Sequence, residues 1–425
     1  MLDKEIKKNE YFFSMVTKIL VVAIGLIQQV IIARYLGAYI KGQLSYIQNL
    51  VGIASIIAMV GLHHSYPVLR RRNTFKNSDR DIFLSGVLFL FFSYFVLFCI
   101  IILIFTVHFE TKAVLLVTPI VGYANIVSYV FMIENPNLRN IDLLTFSIFD
   151  LFLYLGSFFF LIPNLLIGIF IVYFIEALKM LVFTKKLRIS WIINHNTFKV
   201  LCEQLRIGFF PMIALLLTSL NYKLDIIMLS NASNITASDV GVYSVAIGIA
   251  EKALLLPDAL KEILISKLSK GANYIEVMKV NRVGIAFTLL TALCICIFCN
   301  PVVNIFFGAE YKGAVNLIRV TTFGTVFMVI FKMVGSYNIV RNKQWINVVF
   351  LASSVIFNLL FNVLLIPKYG YYGAAYATII SFLVCGIIFT TYFCTTEKVP
   401  LNKFLVLDKE DLSIIKNYIN KKVKN

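Results

Sequence analysis

Lysines and carboxylates recur in this sequence inside runs that are otherwise apolar. Charges there are costly in hydrocarbon and usually face a cavity. The lysines are Lys18, Lys223, Lys252 and Lys332, and the carboxylates are Asp225 and Glu251. Ammonium groups in a low dielectric suit a pyrophosphate or an acidic sugar. Asp225 and Glu251 are the carboxylates best placed to take up and release a proton or to bind sodium. Lys223 and Asp225 stand two residues apart, about 200° around a helix, so they cannot pair along it. Each continues its own polar row, Ser219 with Lys223, and Thr218 with Asn221 and Asp225. Glu251 and Lys252 lie roughly 18 Å along the helix from Asp239, too deep to reach the headgroups. Gly241, Ser244, Gly248 and Asp258 share their broad face. Thr321, Thr325, Lys332 and Ser336 form a further row. Lys18 shares a face with Ser14, Gly25 and Gln29; the alternative is that it reaches back to the cytoplasmic headgroups. Glu176 and Lys179, three apart, read as a structural pair.

Other chemistries find no support. His63, His64, His108 and His195 make no ligand spacing with one another, and Cys294, Cys296 and Cys299 sit in an apolar helix without His or carboxylate nearby. No metal site is expected. No Gly-rich phosphate loop precedes a Lys-Ser or Lys-Thr pair, so nucleotide hydrolysis is not expected and no cofactor is called for. The expected external loops are about ten residues or shorter, too short for a catalytic loop. The protein reads as a transporter and not an enzyme.

The elements that position these charges are membrane helices. Of 425 residues, 60% are hydrophobic and 14% charged, far from ordinary globular composition. Twelve spans are expected, at about 11–33, 44–66, 82–107, 113–133, 143–162, 164–184, 208–230, 240–261, 283–307, 316–340, 345–367 and 371–394. With a cytoplasmic N-terminus, the loops and tails on that side hold 28 Lys and Arg against 5 opposite. This fits the positive-inside rule with both termini cytoplasmic. The net charge of +17 is thereby explained without nucleic acid. Basic clusters such as Arg70 to Arg72 meet anionic membrane lipids. Six of the seven cysteines lie in expected spans, which leaves no external disulfide framework. The Asn231 to Thr236 stretch, a glycosylation sequon in form, reads as a polar external turn.

The polar stretch 185–207 divides the spans six and six. The expected organisation is an N-terminal six-helix lobe (1–184), a cytoplasmic linker (185–207), a C-terminal six-helix lobe (208–394) and a basic cytoplasmic tail (395–425). Gly42 with Ser45 and Gly241 with Ser244 open the second helix of each half, which suggests a repeat. Six is even, so both halves enter the membrane alike, and two lobes around a central cleft follow. LIPKYGYYGAAYATIIS (365–381) reads as a short hairpin, with Pro367 and glycine making the turn. Gly373, Ala374, Ala375 and Ala377 then allow close helix approach.

Four stretches carry a resemblance: ARYLGAYIKGQLSY (33–46), DIIMLS followed by VGVYSVA, NPVVNIFFGAEYKGA (300–314) and LIPKYGYYGAAYATIIS. Together they resemble the polysaccharide-transporter branch of the multidrug/oligosaccharidyl-lipid/polysaccharide (MOP) exporter superfamily, the Wzx-type flippases. The resemblance implies an all-α integral membrane protein, with twelve transmembrane helices in two six-helix lobes around a central cavity. It implies movement of undecaprenyl-pyrophosphate-linked repeat units of O-antigen, capsule or another surface polysaccharide from the cytoplasmic to the outer leaflet of the bacterial inner membrane. It also implies a partner in the polysaccharide polymerase of the same pathway. The peptidoglycan-precursor branch is marked by arginines in the first, second and eighth helices. Here those spans carry Lys18 and Lys252, with Arg34 only at an outer helix end. Two other classes stay open: an ion-coupled multidrug exporter, which would favour acidic cavity residues, and a membrane-embedded polymerase or glycosyltransferase, which needs a long catalytic loop.

Overall fold

The structure, a computed structural model, describes residues 2–71, 76–193 and 195–408, excepting the side chains of 2–16, 18, 19 and 195. The regular elements among the described residues are all helices. They run α1 (Leu2–Met59), α2 (Leu62–Arg70), α3 (Asn77–Ile104), α4 (Phe109–Glu134), α5 (Pro136–Phe160), α6 (Leu165–Leu187) and α7 (His195–Ser230), followed by α8 (Ala237–Ala250), α9 (Leu255–Ser269), α10 (Tyr274–Val302), α11 (Ala314–Val340), α12 (Gln344–Tyr369), α13 (Tyr371–Thr396) and the short α14 (Leu401–Leu405). Eleven described stretches are long and apolar enough to cross a membrane. The first of them, Leu20–Met59, is 40 residues long, about 60 Å and twice what one crossing needs. It breaks at Gly37, where φ is 70° and ψ 170°. A left-handed φ of this kind is accessible to glycine at little cost. The eleven stretches therefore hold the twelve expected spans.

A second one-residue turn closes the α12–α13 hairpin, at Gly370 with φ 58° and ψ −136°. Pro367 stands inside α12 and not in the turn, so glycine alone does what Pro and Gly were expected to share. A Cβ on Gly373 would lie 2.2 Å from the Leu365 carbonyl oxygen. Ala374, Ala375 and Ala377 are fully buried. Small residues thus set the close approach of these two helices, as their types suggested.

The chain divides into two compact units, Met1–Leu216 and Leu217–Asn425, with the division inside α7. Residues 195–207 of the polar 185–207 stretch are helical and continuous with the rest of α7. The described part of the 395–425 tail ends at residue 408. In the first unit the core gathers Tyr66, Phe83, Phe131, Phe146 and Phe183 between α2, α3, α4, α5 and α6. There α1 ends at a break whose Gly61 (φ 72°) touches Gly208 of α7 backbone to backbone. A Cβ on Gly61 would sit 1.9 Å from the Gly208 carbonyl oxygen. In the second unit α11 is buried along most of its length, and Phe331, Phe382, Phe389, Phe393 and Phe404 form the core.

The same polar clasp recurs in each unit. Tyr66 and Arg70 both donate to Glu134 at the end of α4, the guanidinium at 3.0 Å. Tyr337 and Arg341 both donate to Glu397 just beyond α13, each at 2.8 Å. The Tyr-x-x-x-Arg spacing stacks both donors on one helix face toward a single carboxylate.

Candidate functional site

Asp225 is the centre of a cage built from four helices. It is 2% exposed. Its Oδ1 accepts from Asn358 Nδ2 at 2.9 Å and from Asn362 Nδ2 at 2.8 Å. Its Oδ2 accepts from the hydroxyls of Tyr243, at 3.1 Å, and Thr378. The donors come from α8 (Tyr243), α12 (Asn358, Asn362) and α13 (Thr378), and the carboxylate from α7. Beside the cage, Ser354 donates to Asn221 Oδ1 at 2.9 Å. The α12 contribution follows from sequence spacing, since Ser354, Asn358 and Asn362 recur every four residues and stack on one face.

Among the described residues no Lys or Arg forms an ion pair with Asp225. Four neutral donors hold it, in a place where an uncompensated carboxylate is expensive. Asn362 Oδ1 is buried without a hydrogen-bond partner, an acceptor left over beside an anion. One carboxylate with the Tyr243 and Thr378 hydroxyl oxygens on it and the unpartnered Asn362 Oδ1 nearby is a donor set for a proton or a hard monovalent cation. Soft or divalent-metal sites gather several His, Cys or carboxylate ligands, and no group of three such residues occurs among the described ones.

A second cluster surrounds Glu251. The expected continuous eighth span is interrupted there, and Glu251–Leu254 form a turn of 3₁₀-helix between α8 and α9. Pro257 supplies the cause: it removes the N–H that would bond the Ala253 carbonyl, and its ring disfavours a regular helix in the preceding turn. The face computed for an unbroken helix from Gly241 to Asp258 therefore does not hold past Ala250. Glu251 has the ammonium groups of Lys252, Lys223 and Lys332 as charge neighbours, and the Asp225 carboxylate as a further one. Lys332 of α11 is ion-paired with Asp258 of α9. Lys261, not singled out by the sequence, is a charge neighbour of both Lys332 and Asp258.

The structure thus brings Lys223, Lys252, Lys332, Asp225 and Glu251 into one unit, α7 linking the cage to the lysines. It does not leave all the lysines free, because Asp258 neutralises Lys332. The side chain of Lys18 lies outside the described residues. The expected Glu176–Lys179 pair forms at 2.7 Å. Sequence reasoning missed Asn358, Asn362, Tyr243 and Thr378. The Asn residues were visible as a four-residue stripe in the apolar run LASSVIFNLLFNVLL, whereas Tyr243 and Thr378 carried no signal of their own.

Over 93% of this chain and 89% of its own, the lipid II flippase MurJ in an inward closed conformation superposes with a TM-score of 0.69 at 17% identity. An inward-facing multidrug resistance MATE family transporter of the MOP superfamily superposes with a TM-score of 0.67 at 13% identity, over 92% of this chain and 99% of its own. The all-helical, two-lobe fold is therefore shared with these two solved structures.

No family model matches the chain. Two curated relatives match in part. An uncharacterized membrane protein of Methanocaldococcus jannaschii is 34% identical over 98 residues, 23% of this chain. The probable low-salt glycan biosynthesis flippase Agl15 of Haloferax volcanii is 26% identical over 170 residues, 37% of this chain. The matched stretches span 19% and 35% of those relatives' lengths.

Proposed function

We propose that this protein is a flippase for lipid-linked oligosaccharides, moving repeat units carried on a polyprenyl pyrophosphate such as the undecaprenyl carrier from the cytoplasmic to the outer leaflet by alternating access. The cargo would be an O-antigen, capsule or other surface-polysaccharide unit. The chain would sit in the cytoplasmic membrane with both termini inside, in two six-helix lobes (1–184 and 208–394), and hand its cargo to the polymerase of the same pathway. The likeness to a lipid II flippase and to a probable glycan-biosynthesis flippase supports this reading.

The observation that carries it is the gathering of lysines around Glu251. Lys223, Lys252, Lys261 and Lys332 share one cluster with Glu251, Asp225, Asp258 and Glu262, and four ammonium groups within it could be turned to a pyrophosphate or an acidic sugar. Lys252, helped by Lys223 and Lys18, would hold the anionic group while the lipid tail stays in the bilayer. Lys332 would contribute once Asp258 lets it go.

Asp225 and Glu251 would couple transport to an ion. A proton or sodium ion on Asp225 removes one negative charge from the neighbourhood of Glu251 and changes the bonding that ties α7 to α8, α12 and α13. A fall of one charge through 100 mV supplies about 2.3 kcal/mol. It drives the cycle only if the ion binds the two access states differently. Glu251, in the irregular turn between α8 and α9, would transmit the change, since mid-helix 3₁₀ turns often serve as hinges.

The test is complementation of a flippase deletion strain, scored by surface glycan with the protein level in the membrane as control. Lys252→Ala should abolish surface glycan and Lys252→Arg restore part of it. Normal glycan with Lys252→Ala removes this site.

A further inference from the structure

The first unit carries a groove that the transport reading does not use. It measures about 420 Å³ and lies between α3, α4, α6 and the segment that follows α6, within the 300–1,000 Å³ usual for ligand sites. Leu88, Met180, Leu181 and Ile189 give it apolar walls. Lys185 and Arg188 stand at its rim, and Trp191 closes one side.

The wall is built and not incidental. Asp81 is 6% exposed and is held by Arg80 at 2.8 Å. It accepts from the Ser190 backbone N–H at 3.1 Å, and the buried Ser85 hydroxyl accepts from the Ile192 N–H at 3.0 Å. Two buried side chains of α3 therefore fix the 190–192 segment over the groove.

Tyr123 is 3% exposed, and its hydroxyl lies beside that of Thr184 in the lining, the two side chains interacting with each other. A further observation points to a ligand. Lys185 and Arg188 form no ion pair among the described residues, whereas the adjacent Lys186 is paired with Asp142. Leu181 and Trp191 are 60% and 51% exposed, and Trp at such a position marks the level of the headgroups.

We propose that this groove binds one anionic phospholipid of the cytoplasmic leaflet, its phosphate on Lys185 and Arg188 and one acyl chain along Leu88, Met180 and Leu181. The inference rests on the orientation given under Proposed function, which puts the 185–206 loop in the cytoplasm. Basic pockets between membrane helices on that side take anionic headgroups. The modest volume suits a single acyl chain, and two cations match a phosphodiester, so an ordinary phospholipid fits better than the long polyprenyl carrier.

The full-length protein, stripped of lipid in detergent, would be titrated with phosphatidylglycerol and with phosphatidylcholine of the same chains, and bound lipid counted by native mass spectrometry. Phosphatidylglycerol should bind the more tightly. Lys185→Gln alone, at an exposed helical position, should weaken it about 5-fold, and Lys185→Gln with Arg188→Gln about 30-fold, with phosphatidylcholine unaffected. Leu88→Trp, which fills the groove but keeps the cations, should lower retention of both. Equal phosphatidylglycerol binding by the double variant and wild type overturns the proposal. So does retention of polyprenyl pyrophosphate in place of phosphatidylglycerol, which would make the groove part of the cargo path. Lipid counting needs no transport, so its failure is separate from failure of the flippase reading.

Discussion

Replacing Asp225 separates the structural role of the cage from its proposed coupling role. Asp225→Asn keeps the shape. Its amide oxygen can still accept from Asn358 and Asn362 at Oδ1, and its amide nitrogen can donate to the Tyr243 and Thr378 hydroxyls, which rotate to accept. The substitution also removes a buried charge that no cation offsets, so stability should change by less than about 1 kcal/mol. Asp225→Ala is different. It leaves one N–H on each of Asn358 and Asn362 without a partner, although Asn362 keeps its bond to Asn358 Oδ1 at 3.1 Å. The Thr378 hydroxyl retains the Ala374 carbonyl at 2.9 Å. Two buried orphaned donors at about 1–3 kcal/mol each give a loss of about 2–6 kcal/mol. Equilibrium unfolding in mild detergent should therefore rank wild type and Asp225→Asn together, well above Asp225→Ala. Transport driven by an imposed pH or sodium gradient should be lost in both. Wild-type stability in Asp225→Ala would refute the cage as described, and a wild-type gradient response in Asp225→Asn would refute the coupling.

Three further predictions follow from other elements. Gly61→Ala should cost several kcal/mol, or abolish folded protein in the membrane, because its Cβ meets the Gly208 carbonyl at 1.9 Å and its φ is left-handed; Gly25→Ala, with nothing near its Cβ, should unfold like wild type. Glu251→Gln should keep the protein folded and assembled in the membrane but abolish the gradient response of transport in proteoliposomes, and an unchanged response would exclude it from coupling. Reporters fused after residue 195 or 275 should read cytoplasmic and insertions at 236 or 311 external, and an external signal at 195 would overturn the six-plus-six arrangement.

The helices were legible because a hydrocarbon core imposes a length and a composition that can be counted along one dimension. So were the charges that ended up buried, since charge in an apolar run is conspicuous. Their partners were harder. Asp225 is bonded by residues up to 153 positions away, and Asp258 neutralises Lys332 from 74 positions off. Such pairings are decided by packing and not by spacing. Asn358 and Asn362 could have been found, because a four-residue polar stripe in an apolar helix has the same physical meaning as a charged one. The break at Glu251 was also written in the sequence as Pro257, six residues on, but a continuous helix was assumed across it. At the α12–α13 hairpin, proline looked like a turn residue because it usually is one. Gly370 alone suffices, and Pro367 is accommodated in the last turn of the helix.

The central claim, that this chain carries a lipid-linked glycan between leaflets, is tested most directly by a translocation assay. Purified protein would be reconstituted into vesicles bearing a fluorescent polyprenyl-pyrophosphate oligosaccharide, and leaflet exchange read by a membrane-impermeant quencher. With wild-type protein the quencher should reach nearly all the labelled lipid, whereas in protein-free vesicles it stops at about half, the outer-leaflet share, and Lys252→Ala should match the protein-free control. No exchange by folded wild-type protein with any pyrophosphate-linked glycan, alongside gradient-driven efflux of a cationic dye, would contradict the account in favour of a multidrug exporter.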